Sequence, residues 1–438
     1  MDNIIEIESN SQVEKIVETI KTELDEQMII YKPRGRKFLD IGYIPRNSIH
    51  REKEISRISK QIIEFVIDKT SGSLMMCGNS GTGKTMSYKL AKIVADTYMS
   101  DLGHEDYIVI YVTAQGTEIN SLMTEICREL NVDAPSRGIS FKDYINIIKE
   151  KCRKTYIHIC IDEFDKLFFS RSKEKVEDVI YYFTRTENLS MTIITNRMNI
   201  AKDIKDSRVF SSLNTLNTIS FKDYSADQCF DILSQRTKLA FNDGFVPENV
   251  LHMLCNHIAI EGGDIRKGLS VLGLCAKHAE DAKISTITAE IMEYIIEKYD
   301  ILRDGENLKE QAVSGKLILS AIYSLLMSNQ NSALDSRDVF AKQDYYRSTM
   351  NLPSISRESH SVYLTKLTTS GIICATRNSK GGRDGTTMSI TLRYPRNAVK
   401  YMLNEDPELH GIHIIIEDEL RDLRKDRLAA SSHIQKNL

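Results

Sequence analysis

Residues Gly78 to Thr85 read GNSGTGKT, a complete G-x-x-x-x-G-K-[ST] run between a short apolar stretch, Leu74 to Cys77, and a segment of helical periodicity. No other feature constrains the fold as tightly. Such glycines serve a purpose where a strand ends and a helix begins, because there the backbone curls until successive N–H groups and the helix N-terminus face one point. That point favours an anion. The expectation is a phosphate-binding loop formed by Gly78, Asn79, Ser80, Gly81, Thr82, Gly83, Lys84 and Thr85. Lys84 would reach the terminal phosphates of ATP or ADP, and the Thr85 hydroxyl would turn to Mg²⁺.

The surrounding pattern fits. The segment Arg51 to Asp68 places Ile55, Ile58, Ile62 and Phe65 at helical spacing, and further buried-strand candidates are Tyr107 to Val112, Tyr156 to Ile161, Met191 to Thr195 and Leu216 to Phe221. Strands alternating with helices imply a parallel sheet covered on both faces, an α/β fold. From Ser225 to about Tyr299 the strands stop and helix-period segments form a small helical lid. Beyond a charged stretch, Arg303 to Lys309, come a helix at Lys316 to Leu326, a shorter one, and a third at Ser356 to Thr369 that ends before Gly371. Two strand-like runs, Ile372 to Arg377 and Met388 to Tyr394, flank the turn SKGGRDG, the layout of a winged helix. The expected division is an arm at 1–44, an α/β core at 45–222, the lid at 223–302, the winged helix at 303–400 and a helical, solvent-exposed tail at 401–438.

At 438 residues the chain exceeds what one hydrophobic core usually serves. A formal charge of −3 means that any nucleic-acid contact must be local. Eight scattered cysteines without a C-x-x-C pair argue against a zinc site or disulfide framework, and no apolar run approaches the ~20 residues that span a bilayer. The chain reads as soluble and intracellular.

Further chemistry sits at strand ends. Asp162 and Glu163 follow the run YIHICI, where an acidic pair leaves the sheet at its ligand-binding edge. Asp162 would hold the water shell of Mg²⁺, while Glu163 would orient and deprotonate the attacking water. Asn196 ends the next strand, MTIITNR, where its amide could bind that water and the γ-phosphate. Arg266, in EGGDIRKGL, could fold from the lid onto the phosphates, and Arg208, in DSRVFSSL, could reach the nucleotide of a neighbouring subunit.

Taken together, YIPRNSIHREKEI, GNSGTGKT, CIDEFDKL, DSRVFSSL followed by SFKDYSADQCFDIL, and GGDIRKGL resemble the replication initiators of the origin recognition complex and cell division control protein six family. The resemblance runs from about Tyr43 to Tyr394 and looks archaeal. It implies an AAA+ ATPase in which Lys84 and Thr85 are Walker A, Asp162 and Glu163 Walker B, Asn196 sensor 1, Arg266 sensor 2 and Arg208 the arginine finger. It also implies an ATP-bound form that binds double-stranded origin DNA, acts with other initiator subunits and recruits the MCM helicase, with hydrolysis as a slow switch. A DNA-touching helical element between the Walker motifs would fall within Thr117 to Gly138.

In the winged helix, Ser356, Arg357, His360, Tyr363 and Lys366 lie on or near one side of the third helix, expected in the major groove. Lys380 and Arg383 on the wing turn are expected to approach phosphates or the minor groove. Family wings often place a second arginine after the glycine, whereas Thr386 follows Gly385 here, which weakens that contact. The same parts would serve a AAA+ ATPase of a mobile element, or a nucleotide-gated interaction switch whose winged helix docks protein and not DNA.

Overall fold

Strand β4, Leu189–Thr195, is buried along its whole length, and β3, Tyr156–Asp162, at every position but its first. Apolar runs of this kind have no solvent face to offer, so the sheet that holds them must carry helices on both sides. In the computed structural model they lie in a five-stranded parallel sheet of order β2-β3-β4-β1-β5, with β1 at Leu74–Gly78, β2 at Tyr107–Thr113 and β5 at Asn217–Phe221. The structure describes residues 16–17, 30–45, 47–70, 73–114, 118–135, 138–169, 173–198, 200, 217–328, 333–379 and 386–435.

Alternate residues of each strand feed the two faces. Ile110, Val112, Ile157, Ile159, Ile161 and Met191 pack with α3 (Ile119–Glu129), α4 (Phe141–Cys152) and α5 (Lys173–Phe183). Val109, Cys160, Ile194, Met76 and Phe221 face α1 (Glu52–Ile67) and α2 (Lys84–Asp101). Within the range 117–138, where a helical element between the Walker motifs is expected, lies α3, which buries Leu122, Met123, Ile126 and Cys127 against the sheet. A buried polar cluster lies inside: His158 bonds Ser190 Oγ through Nδ1 and Thr192 Oγ1 through Nε2 at 2.9 Å. Burial drives its pKa down to about 3, so the ring is neutral, donating from one nitrogen and accepting at the other.

The chain forms two compact units, Met1–Met292 and Glu293–Leu438. The first joins the sheet to the lid helices α6 (Ala226–Ala240), α7 (Glu248–Ile260) and α8 (Ile265–Ala282). A capping box, Ser225 with Gln228, starts α6, and the Asp264 carboxylate caps α8. The end of the expected arm belongs to this unit. Ile30 is buried, Tyr31 forms a β-bridge with Phe241, and Arg236 donates to the carbonyls of Asp40 and Tyr43.

The expected boundary at 302/303 falls inside a helix, α9 (Ala289–Lys309), because Arg303 to Lys309 continue its turns. The second unit is built around α10 (Val313–Ser328), whose residues 315–324 are all buried. Around it stand α11 (Ser336–Thr349), α12 (Arg357–Thr369) and a three-stranded sheet of order β6-β8-β7, with β6 Leu334–Asp335, β7 Ile373–Ser379 and β8 Thr386–Leu392. Three helices with an antiparallel ribbon make the winged helix. The tail departs from expectation. It is helical, as α13 (Arg396–Glu405) and α14 (His410–Gln435), but Met402, Leu403, Leu409, Ile412 and Ile416 are buried in the winged-helix core. Its spaced apolar residues supply one face, and Lys316 reaches Asp406 and Glu408 at 2.7 Å each. Among the described residues no helix is long and apolar enough to cross a membrane.

Candidate nucleotide site

The strand order fixes where a ligand would lie. β3, β4 and β1 are neighbours, so the groups that follow their C-terminal ends converge at one edge of the sheet. There Lys84, 6% exposed, donates from Nζ to the Gly78 carbonyl at 2.9 Å, the Asn79 carbonyl at 2.7 Å and Asn196 Oδ1 at 2.9 Å. Burial lowers its pKa, and Asp162 works against that shift. The Thr85 hydroxyl donates to Asp162 Oδ2 at 2.6 Å, and the Tyr111 hydroxyl donates to the same oxygen at 2.7 Å. Asp162 Oδ1 accepts the Glu163 N–H at 2.7 Å.

Glu163 itself has φ 55, a left-handed turn that redirects the chain out of β3 and leaves its carboxylate paired with Lys166. Asn196 is fixed through its N–H, which donates to Asp165 Oδ1 at 3.2 Å. The loop's glycines are needed for room as well as curvature. Gly83 (φ 87) starts α2 where an added Cβ would stand 2.6 Å from the Tyr224 hydroxyl, and one on Gly81 (φ 75) would run into the Asp264 carboxylate.

Other supports lie within the landmark runs YIPRNSIHREKEI and SFKDYSADQCFDIL, although no pattern there assigned them a role. Arg51, 4% exposed, donates to the Thr82 carbonyl at 3.0 Å and the Lys222 carbonyl at 2.6 Å, with its guanidinium 4.0 Å from the Tyr224 ring centre. It props the phosphate loop from behind. Asn79 donates to both oxygens of Asp223, at 2.9 and 3.0 Å. From the lid, Arg266 bonds the Ser80 hydroxyl and the Asp264 carboxylate. Ser80, Lys84, Thr85, Asp162, Asn196 and Arg266 line a cleft of about 460 Å³ whose wall also includes the largely apolar set Tyr43, Ile44, Ile232 and Leu269.

The structure therefore brings together Gly78 to Thr85, Asp162, Glu163, Asn196 and Arg266, while Arg208 lies outside the described residues. The oxygen donors of Thr85 and Asp162, side by side at the loop's mouth, suit a hard divalent cation such as Mg²⁺.

The winged-helix residues sort differently. Ser356 caps α12, accepting the Ser359 N–H at 3.2 Å, and Arg357 and Lys366 are exposed. His360 is a correction: it is 5% exposed, bonds Gln343 Oε1 at 2.6 Å through Nδ1, and faces the core because Leu364 and Leu367 continue its stripe. Tyr363 is half-buried against that core. Ser361, Val362 and Thr365 are exposed instead, positions that basic or aromatic character did not flag. Lys380 and Arg383 lie outside the described residues.

A parallel sheet carrying this loop, an acidic strand end, a polar sensor on the next strand and an arginine-bearing helical lid define an AAA+ ATPase. An AAA domain description matches residues 67–201, and a Cdc6 AAA+ ATPase-type lid domain matches 230–294. Through that lid and over most of its length the chain is similar to proteins of the origin recognition complex and cell division control protein six family. It is 26% identical over 402 residues to the ORC1-type DNA replication protein 1 of Archaeoglobus fulgidus, covering 89% of this chain and 95% of that one. It is 27% identical over 407 residues to the ORC1-type DNA replication protein of Thermococcus onnurineus, with the same coverage. Among solved structures, the Aeropyrum pernix ORC1 protein in complex with DNA shares the fold at a TM-score of 0.73 and 24% identity, over 88% of this chain and 99% of that one. Cdc6p of Pyrobaculum aerophilum gives a TM-score of 0.54 at 18% identity, over 90% and 99%.

Proposed function

We propose that this protein initiates DNA replication under the control of ATP. It binds double-stranded origin DNA and, in its ATP-bound form, recruits and loads the MCM replicative helicase. The observation that carries this reading is the convergence of Lys84, Thr85, Asp162, Asn196 and Arg266 on one cleft between the sheet and the lid of the first unit. Its working place is the cytoplasm, on the nucleoid.

In that cleft the loop N–H groups and Lys84 hold the phosphates, which requires Lys84 to exchange its bonds to the Gly78 and Asn79 carbonyls for phosphate oxygens. Thr85 and Asp162 would hold Mg²⁺, which would supply positive charge against the phosphate oxygens. Glu163 orients the attacking water and takes its proton, after leaving Lys166. Asn196, already 2.9 Å from Lys84 Nζ, positions that water against the γ-phosphate. A ligand shifts a conformational equilibrium only by its differential affinity for the two states, and Asn196 and Arg266 are the groups that tell ATP from ADP. Hydrolysis is slow and serves as a switch, with Arg208 reaching the nucleotide of a neighbouring subunit.

DNA is held by exposed residues of α12, Arg357 and Lys366 with Ser356 at its start, together with Lys380 and Arg383 on the wing. Supporting this are the names of the curated relatives, ORC1-type DNA replication proteins, and the DNA in the Aeropyrum ORC1 structure. The test is anisotropy binding to duplexes tiled across the organism's own candidate origin, with ATP and with ADP at fixed salt. Tight, ATP-dependent binding to a few duplexes is expected. Uniformly weak binding with ATP still held would replace the initiator reading with a nucleotide-gated interaction switch.

A further inference from the structure

We infer that Asp264 is a positioning residue that competes with the γ-phosphate for Arg266 and thereby sets how strongly the cleft prefers ATP to ADP. This inference rests on the cleft being a nucleotide site. Arg266 grips the Asp264 carboxylate at two points, Nε to Oδ1 at 3.1 Å and Nη2 to Oδ2 at 2.9 Å, while Nη2 also bonds the Ser80 hydroxyl of the phosphate loop. The same carboxylate accepts the Arg266 N–H at 2.9 Å as the cap of α8. It lies so close over Gly81 that the loop has no room for a side chain there.

The cap alone does not explain a charge at this place. Asparagine or serine caps a helix about as well as aspartate, and neither sets a negative group against a loop whose ligand is polyanionic. A carboxylate here repels phosphate unless it is neutralised, and Arg266 is what neutralises it. The guanidinium is therefore shared between two anions. With ADP there is no γ-phosphate to draw it away, and Arg266 stays on Asp264. With ATP the arginine transfers to the γ-phosphate, and breaking the Asp264 pair lowers the apparent affinity for ATP alone. Arg266 and Asp264 are 46% and 34% exposed, so the pair is weak and the handicap is about 3- to 5-fold.

The experiment is calorimetric titration of the full chain with Mg²⁺-ADP and with a non-hydrolysable Mg²⁺-ATP analogue, for the wild type, Asp264→Asn, Arg266→Ala and the double variant. Asp264→Asn keeps the cap and is expected to raise the ratio of ATP-analogue to ADP affinity about 3- to 5-fold. In the Arg266→Ala background the same change should shift both ligands equally and leave the ratio fixed. Asp264→Ser, which also caps without charge, should reproduce the asparagine result. An unchanged ratio in Asp264→Asn, or the same change when Arg266 is absent, overturns the inference, since removal of a nearby charge would then explain everything. Wild-type protein that binds neither ligand would instead defeat the nucleotide-site reading beneath it.

Discussion

The phosphate loop of the first unit and helix α12 of the second are the two surfaces that the proposed function assigns to ligands, and they are built in opposite ways. The loop works through backbone groups and buried side chains. Lys84 and Asp162 are 6% and 5% exposed, and each polar atom that matters already has a named partner. On α12 the residues available to a ligand, Arg357, Ser361, Val362, Thr365 and Lys366, are exposed, while the helix's one histidine is turned inward to hold Gln343. A preorganised site concentrates its energy in a few groups, whereas an exposed one spreads it over many weak contacts. Single substitutions should therefore be severe in the first and mild in the second.

The largest effect expected is on turnover. Glu163→Gln should slow phosphate release about 10²- to 10⁴-fold while calorimetry finds ATP still bound; simultaneous loss of binding would recast Glu163 as a structural turn residue. Lys84→Ala should weaken nucleotide binding by about 100-fold, since several charge-assisted bonds go at once, and unchanged affinity would remove the site assignment. Next comes the second unit's buried ion pair. Lys316→Ala strands Asp406, 4% exposed, and should cost that unit about 3 kcal/mol in urea unfolding, leaving the first unit's transition in place.

Acid should separate the units further. His158 and His360 are held neutral by burial, with pKa values pushed down to about 3 and about 4 from 6.5. In the unfolded chain each takes a proton near pH 6.5, so below that pH the unfolded state binds more protons and stability falls. Both contributions are fully present above pH 6.5, and the loss runs down to about pH 4 for His360 and about pH 3 for His158. Thermal melts of His360→Gln should show a flatter acid limb for the second unit only. The smallest effect belongs to the exposed face: Lys366→Ala should weaken DNA binding a few-fold and reduce the salt slope by about one. If His360→Gln moved that slope while Lys366→Ala did not, the contrast between the two surfaces would fail.

The same contrast explains what the sequence disclosed. GNSGTGKT and the acidic pair at Asp162 and Glu163 are legible because backbone curvature and strand-end chemistry admit few residue types at fixed spacing. Arg51, Tyr111, Asp223 and Asp264 support that site through contacts that only the folded chain creates, Arg51 and Lys222 being far apart along it. The central strands β3 and β4 were legible to within a residue or two because they are buried along nearly their whole length and so carry few charged groups. His360 was misread although its spacing to Leu364 and Leu367 places it on the helix's buried stripe; what the sequence could not show is Gln343, on a different helix, which gives the ring a partner there. The tail was misread for a related reason. The charges between Glu417 and Arg427 drew attention from Leu409, Ile412 and Ile416, whose spacing marks a buried stripe.

Because those three residues close the core around α10, the order of synthesis differs for the two units. Every residue of the first unit has been made by Met292, whereas the winged helix lacks part of its interior until Ile416 has been added. At ~5–20 residues per second, that interval is on the order of ten seconds. A nascent chain thus holds every residue lining the cleft before its winged-helix core can close, so under the proposed function nucleotide can be captured before DNA.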